Sequence, residues 1–172
     1  MTIEKIIEKI RSLPDCRVYP PLGLPKIKNQ LKIPTDVIEF YEICGGVILN
    51  ENAAYSVRIV PPQEVCSANY VIIGEELINS EIEKGNYDKE QEISEDWYII
   101  ADLYNSDYLV IDFNSKRKGL CYKAFWDSYP EVGSTPIIAR SFTELLNCLV
   151  ENDGDYWYFL KKDYVSYGDA YD

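Results

Sequence analysis

WYIIADLYNSDYLVIDFNSKRKGLCYKAF, residues 97–125, decides the fold. It holds three short runs, Trp97–Ala101, Tyr108–Asp112 and Gly119–Phe125, rich in the β-branched and aromatic residues that favour strands. Only turn-forming polar residues part them: Asn105-Ser106-Asp107 in the first gap and Asn114–Gly119 in the second. A parallel crossover needs a dozen or more residues, so connections this brief dictate antiparallel meander neighbours. Val47-Ile48-Leu49 and Tyr55–Val60 upstream, with Ile137-Ile138 downstream, carry the same signature and extend the sheet on both sides.

Outside the sheet the period changes. Ile3, Ile6, Ile7, Ile10 and Leu13 recur at helical spacing, and Pro14 stops that helix. Pro20, Pro21, Gly23, Pro25 and Pro34 make Tyr19–Pro34 an extended, proline-stiffened connection. Thr35 is the expected N-cap of a second helix, with Asp36 in the first turn, where the helix dipole favours negative charge. Val37, Phe40, Tyr41 and Cys44 line its apolar face, and Gly45-Gly46 reads as a left-handed C-cap. These glycines leave a helix, whereas a phosphate cradle needs them to lead into one. Ser141-Phe142-Thr143-Glu144 has capping-box spacing and opens a helix striped by Phe142, Leu145, Leu146 and Leu149. The stretch from Glu64 to Asn86 accommodates one or two short helices, with Leu77, Ile78 and Ile82 on a shared face.

Helices grouped around a run of strands give an α+β chain rather than an alternating βαβ one. The expectation is a single domain, 1–172, with a central, mostly antiparallel sheet. Its helices fall at the N-terminus, after the proline-rich connection and at the C-terminus, and residues 163–172 are expected as a frayed tail. Val37, Phe40, Tyr41, Trp97, Ile99, Val110, Phe142, Leu145 and Leu149 are the expected core.

Composition then narrows function. Seventeen Lys+Arg against 29 Asp+Glu leave a net charge of −12, which repels nucleic acid and anionic membranes. The chain has no histidine, which removes the commonest general base and the commonest metal ligand together. Cys16, Cys44, Cys66, Cys121 and Cys148 are odd in number and never approach CxxC spacing, so neither a disulfide nor a zinc site is expected. Asp112-Phe113-Asn114 begins like a calcium loop, but its sixth position is Arg117 rather than glycine. Pairs such as Glu75-Glu76 and Asp153/Asp155 arise by chance among so many acids, so no enzyme and no cofactor are expected. Met1–Arg11 lacks the apolar run of a secretory leader, and no window reaches the ~20 apolar residues of a membrane span, so a cytoplasmic protein is expected.

Two surface features remain. Glu75, Glu76, Glu81, Glu83, Asp88, Glu90, Glu92, Glu95 and Asp96, against only Lys84 and Lys89, give residues 75–96 a net charge of −7, more than half of the total. Charge of one sign steers a partner of the other and raises association rate and specificity. Five tyrosines, among them Tyr156, Tyr158 and Tyr164, crowd the last seventeen residues, and tyrosine supplies rigid contact area at interfaces. Lys116-Arg117-Lys118 reads as an exposed basic hairpin tip.

Three segments in order resemble the SUKH superfamily, which joins yeast cell-wall-synthesis regulators to bacterial toxin-immunity proteins. They are Leu31–Gly46, with its proline, helix, aromatic pair and Gly-Gly; the strands from Trp97 to Tyr122; and the closing helix Ala139–Leu146. Together they span about Leu31 to Leu149. Cys44 stands where the family often has Asn before the Gly-Gly pair. The resemblance implies an α+β binding scaffold without catalytic residues. It also implies a toxin as partner, frequently a nuclease and therefore basic, blocked by steric and electrostatic occlusion. A regulatory or scaffold role of the cell-wall-synthesis type is the alternative. On this reading the nine acids of residues 75–96, with Tyr156, Tyr158 and Tyr164, form the partner-binding surface.

Overall fold

Seven strands lie in one antiparallel sheet in the order in which the chain makes them. The computed structural model describes residues 1–172. The strands are β1 (Arg17–Val18), β2 (Val47–Leu49), β3 (Val57–Ile59), β4 (Trp97–Asp102), β5 (Tyr108–Asp112), β6 (Cys121–Ala124) and β7 (Ile137–Ala139). The helices are α1 (Ile3–Ser12), α2 (Thr35–Ile43), α3 (Ala68–Ile72), α4 (Glu75–Glu83) and α5 (Phe142–Glu151). This is the α+β single domain expected from the sequence. The three runs of residues 97–125 are adjacent strands, with Trp97 opposite Asp112 and Val110 opposite Tyr122.

β4 and β5 are buried almost throughout, so the middle of the sheet is covered on both faces. α1, α2 and α5 pack against one another, and α3 packs on β4. All nine residues expected in the core are buried there. Phe40 joins the helices to each other, meeting the Tyr41 and Phe142 rings edge-on at 5.0 Å. The Tyr41 hydroxyl donates to the Val60 carbonyl at 2.7 Å, so this buried phenol leaves no unpaired donor.

The helix ends differ from the sequence reading. Pro34, not Thr35, is the N-cap of α2 and offers no side-chain cap. Asp36 Oδ1 accepts from the Val37 amide, while Oδ2 accepts the Thr143 amide and hydroxyl at 2.8 and 2.9 Å. One carboxylate therefore serves the N-termini of two helices. Ser141 caps α5 as expected, accepting from the Glu144 amide at 3.0 Å.

Gly45-Gly46 is not a left-handed C-cap. The cap residue is Cys44, in extended conformation. The glycines admit close backbone approach instead: a Cβ on Gly45 would sit 2.2 Å from the Pro20 carbonyl oxygen, and one on Gly46 2.7 Å from that of Ile59. The proline-rich connection is thus seated on the end of α2, and Tyr19 exchanges backbone hydrogen bonds with Gly45 and Gly46.

Residues 163–172 are not a frayed tail. Ile137 and Gly168, Tyr167 and Ile137, and Ala170 and Thr135 share backbone hydrogen bonds, and Asp169 bridges Pro136. The segment takes up the free edge of β7, which would otherwise leave its amides and carbonyls unpaired.

Candidate interaction surfaces

The acidic stretch is built as a scaffold with a charged rim. At its centre Glu95, 4% exposed, accepts from Lys28 Nζ at 2.9 Å and from the Tyr87 hydroxyl. Asn69, buried on α3, donates to the Tyr87 hydroxyl and to Ser94 Oγ at 2.8 and 2.9 Å and accepts from the Tyr129 hydroxyl. Burial and the neighbouring Glu95 carboxylate push the Tyr87 phenol well above its ordinary range, so it stays a donor. Glu92 accepts from the Ser94 amide and hydroxyl and, at 2.8 Å, from Tyr171 of the C-terminal segment. Five separate parts of the chain are tied together here by buried polar groups.

Glu95 is therefore withdrawn from the expected binding surface, because its charge is matched by Lys28 inside the fold. Asp96 is also spent internally: it accepts from Asn114 Nδ2 at 2.9 Å and Arg117 at 3.3 Å. Glu81 is half-buried and held by Asn86 and then Lys84, which lower its carboxyl below the usual range. Glu75, Glu76, Glu83, Asp88 and Glu90 remain exposed and lack ion-pair partners. They lie on α4 and the loop that follows it, with Leu77 exposed between them rather than sharing the buried face of Ile78.

Lys116-Arg117-Lys118 is not a uniformly exposed basic tip. Arg117 folds back, its Nε donating to Asp112 Oδ2 at 2.9 Å. The Asp112 carboxylate also accepts Trp97 Nε1, the Tyr122 hydroxyl and the Asn114 amide, at 2.8 to 2.9 Å. It is an internal hub with its lone pairs engaged.

The tyrosines divide. Tyr158 and Tyr164 both donate to the Ile138 carbonyl, at 2.8 and 3.2 Å, and hold the C-terminal segment on β7. Tyr156 lies elsewhere, 41% exposed, its ring edge-on to Tyr55 at 5.0 Å. It belongs to the end of the sheet formed by the β2–β3, β4–β5 and β6–β7 connections, where Trp157 Nε1 donates to the Tyr55 carbonyl at 3.2 Å. Trp126, absent from the sequence expectation, is 67% exposed at that same end. Its place one residue beyond the Phe125 strand end was the available sign.

No group of three or more Cys, Asp or Glu side chains converges as a metal site would require. No helix is long and apolar enough to cross a membrane.

The model of the SMI1 / KNR4 family (SUKH-1) matches residues 26–148, close to the stretch that carries the resemblance. Over all 172 residues the sequence is 46% identical to the immunity protein YokJ of Bacillus subtilis strain 168, spanning 97% of that protein. No solved structure matches the chain.

Proposed function

Because the chain belongs to the SMI1 / KNR4 family (SUKH-1), we propose that it is an immunity protein, which binds a toxin domain and blocks it without catalysing a reaction. The observation that carries this reading is the full-length 46% identity to a protein named for immunity. A relationship that spans the whole chain concerns its surface loops as well as its core.

The proposed partner is a basic domain that acts on nucleic acid. Such a domain presents lysines and arginines where phosphates bind, and the exposed Glu75, Glu76, Glu83, Asp88 and Glu90 offer carboxylates in their place. The buried network behind them holds the loop in position, so little ordering entropy is lost when a partner docks. Occupation of the nucleic-acid site, with steric exclusion of substrate, is the proposed mechanism.

The test is protection. The C-terminal domain of the protein encoded beside this chain's gene is expressed with and without the chain, and survival is scored. Survival only with the chain supports the reading, and equal killing in both overturns it.

A further inference from the structure

The structure holds a second acidic surface, at the end of the sheet opposite the point where residues 75–96 enter β4. Four segments meet there: residues 50–56, 103–107 and 125–136 join strands, and residues 151–157 close α5 and follow it. Gly154 packs against Asn50 and Ala53, and Phe125 faces Trp157 at 6.1 Å, so the segments are in contact. Together they contain Glu51, Asp107, Asp127, Glu131, Glu151, Asp153 and Asp155 and no lysine or arginine.

Three aromatic side chains stand out of this acidic ground. Trp126 is 67% exposed, and Tyr104 and Tyr156 are each 41% exposed. Trp97 is buried and Trp157 half-buried, so Trp126 is the exposed tryptophan of the chain. The backbone that carries Trp126 and Tyr104 is also held in place. The Trp126 amide donates to Asp107 Oδ1 at 3.1 Å, and the Tyr104 amide to Asp102 Oδ1 at 2.7 Å. Tyr104, Asn105 and Ser106 are consecutively left-handed, at φ 68°, 54° and 67°. The hairpin keeps that disfavoured shape through its own hydrogen bonds, Asp107 N to Tyr104 O at 3.1 Å among them.

We propose that this hairpin end is a second docking surface for the basic toxin domain, with Trp126 as its anchor and Tyr104 and Tyr156 beside it. The inference rests on the immunity reading above. Charge decides the occupant: Arg17 pairs with Glu51 at 2.7 Å and Lys161 with Asp155 at 3.7 Å, and the five acids without an ion pair, Asp107, Asp127, Glu131, Glu151 and Asp153, repel nucleic acid, anionic lipid and a second copy of this acidic chain, and attract a cationic protein. Exposed indole and phenol faces suit lysine and arginine, which bind aromatic faces through cation–π attraction. The fold already uses that contact three times, with Lys89 5.6 Å from the Tyr70 ring centre, Lys123 4.7 Å from that of Phe125 and Arg140 4.5 Å from that of Tyr167.

The experiment titrates the C-terminal domain of the protein encoded beside this chain's gene into the full chain and into Trp126→Ala, Tyr104→Ala and the charge variant Asp127→Lys/Asp153→Lys. Calorimetry reads affinity, and thermal unfolding confirms that each variant folds. Binding by Trp126→Ala weakened about tenfold or more, the scale of an interface anchor, supports the proposal. So does a blue shift of wild-type emission on binding that Trp126→Phe abolishes. Affinities within twofold of wild type for all variants overturn it and leave the immunity reading standing. A wild-type chain that does not bind the domain overturns both. Self-association of the wild type that Trp126→Ala abolishes assigns the surface to a second copy and overturns it as well.

Discussion

Trp97 and Asp112 face each other directly across β4 and β5, and the indole N–H of one donates to the carboxylate of the other at 2.9 Å. A cross-strand pair that is also a side-chain hydrogen bond fixes the register of the two central strands. Asp112→Ala leaves the Trp97, Tyr122 and Arg117 donors unmatched inside the protein. Its expected cost is about 3–5 kcal/mol, as for removing one partner of a buried ion pair. Asp112→Asn, which keeps one acceptor, costs less. Urea unfolding measures both, and a loss under about 1 kcal/mol for the alanine variant would sink the hub assignment.

Gly45→Ala drives a methyl group into the Pro20 carbonyl oxygen. The proline-rich connection must lift from α2, giving up its paired backbone bonds with Tyr19. We expect destabilisation of about 1–3 kcal/mol, the range for overpacking a tight site. Gly45 is not left-handed, so the clash and not backbone strain carries the loss. A loss under about 0.5 kcal/mol in urea unfolding would show that contact with Pro20 is irrelevant.

The C-terminal segment is expected to protect β7. Removal of residues 164–172 exposes the Ile137 amide and carbonyl to solvent and deletes the Tyr171–Glu92 bond. Hydrogen exchange at Ile137 and Ala139 should accelerate, and the truncated chain should sediment as larger species at high concentration. Unchanged exchange would return the segment to the frayed state expected from the sequence.

Reversal of the exposed rim tests the acidic surface. Glu75, Glu76, Glu83 and Glu90 changed together to Lys leave the internal bonds of Glu81, Glu92, Glu95 and Asp96 intact. Stability should move by no more than about 0.5 kcal/mol per site. Association with the toxin domain should slow, and the wild-type rate should fall as salt rises, since steering is screened beyond ~10 Å at 0.1 M. An unchanged on-rate at low salt would remove this surface from the proposed interface.

Thiol chemistry reports the packing. Cys44 and Cys121 are fully buried, and burial pushes both thiols up from their ordinary range, Cys121 strongly. In native protein at pH 8 a disulfide reagent should leave these two unreacted while Cys16, half-exposed and without such a shield, is modified first. All five should react in denaturant. Rapid native labelling of Cys121 would contradict its complete burial on β6.

The meander and the closing helix were legible because their signals are local: alternation, short polar turns, and a serine three residues before a glutamate. β1 was not, since two residues, Arg17 and Val18, carry no period. Charge was misread where its partner lies far along the chain. Glu95 meets Lys28 across 67 residues, and Asp36 caps a helix 107 residues away. A run of nine acids looks uniformly solvated until the fold brings a lysine, a tyrosine and an arginine into it. The end of the sheet that presents Trp126 was missed for the same reason. Its four segments are scattered over a hundred residues and become neighbours only through strand order.

That order has a kinetic corollary. Each strand pairs with the one made just before it, and from β4 to β6 the short turns let the sheet grow by successive hairpins as the chain leaves the ribosome. Two edges wait longer: β3 ends at Ile59 while β4 begins only at Trp97, and the backbone that covers the outer side of β7 comes from residues 167–170, some thirty positions later. During the second interval α5 must form and dock while a strand edge stands open. The hazardous moments in the making of this protein are thus set by the separation between a strand and the segment that seals it.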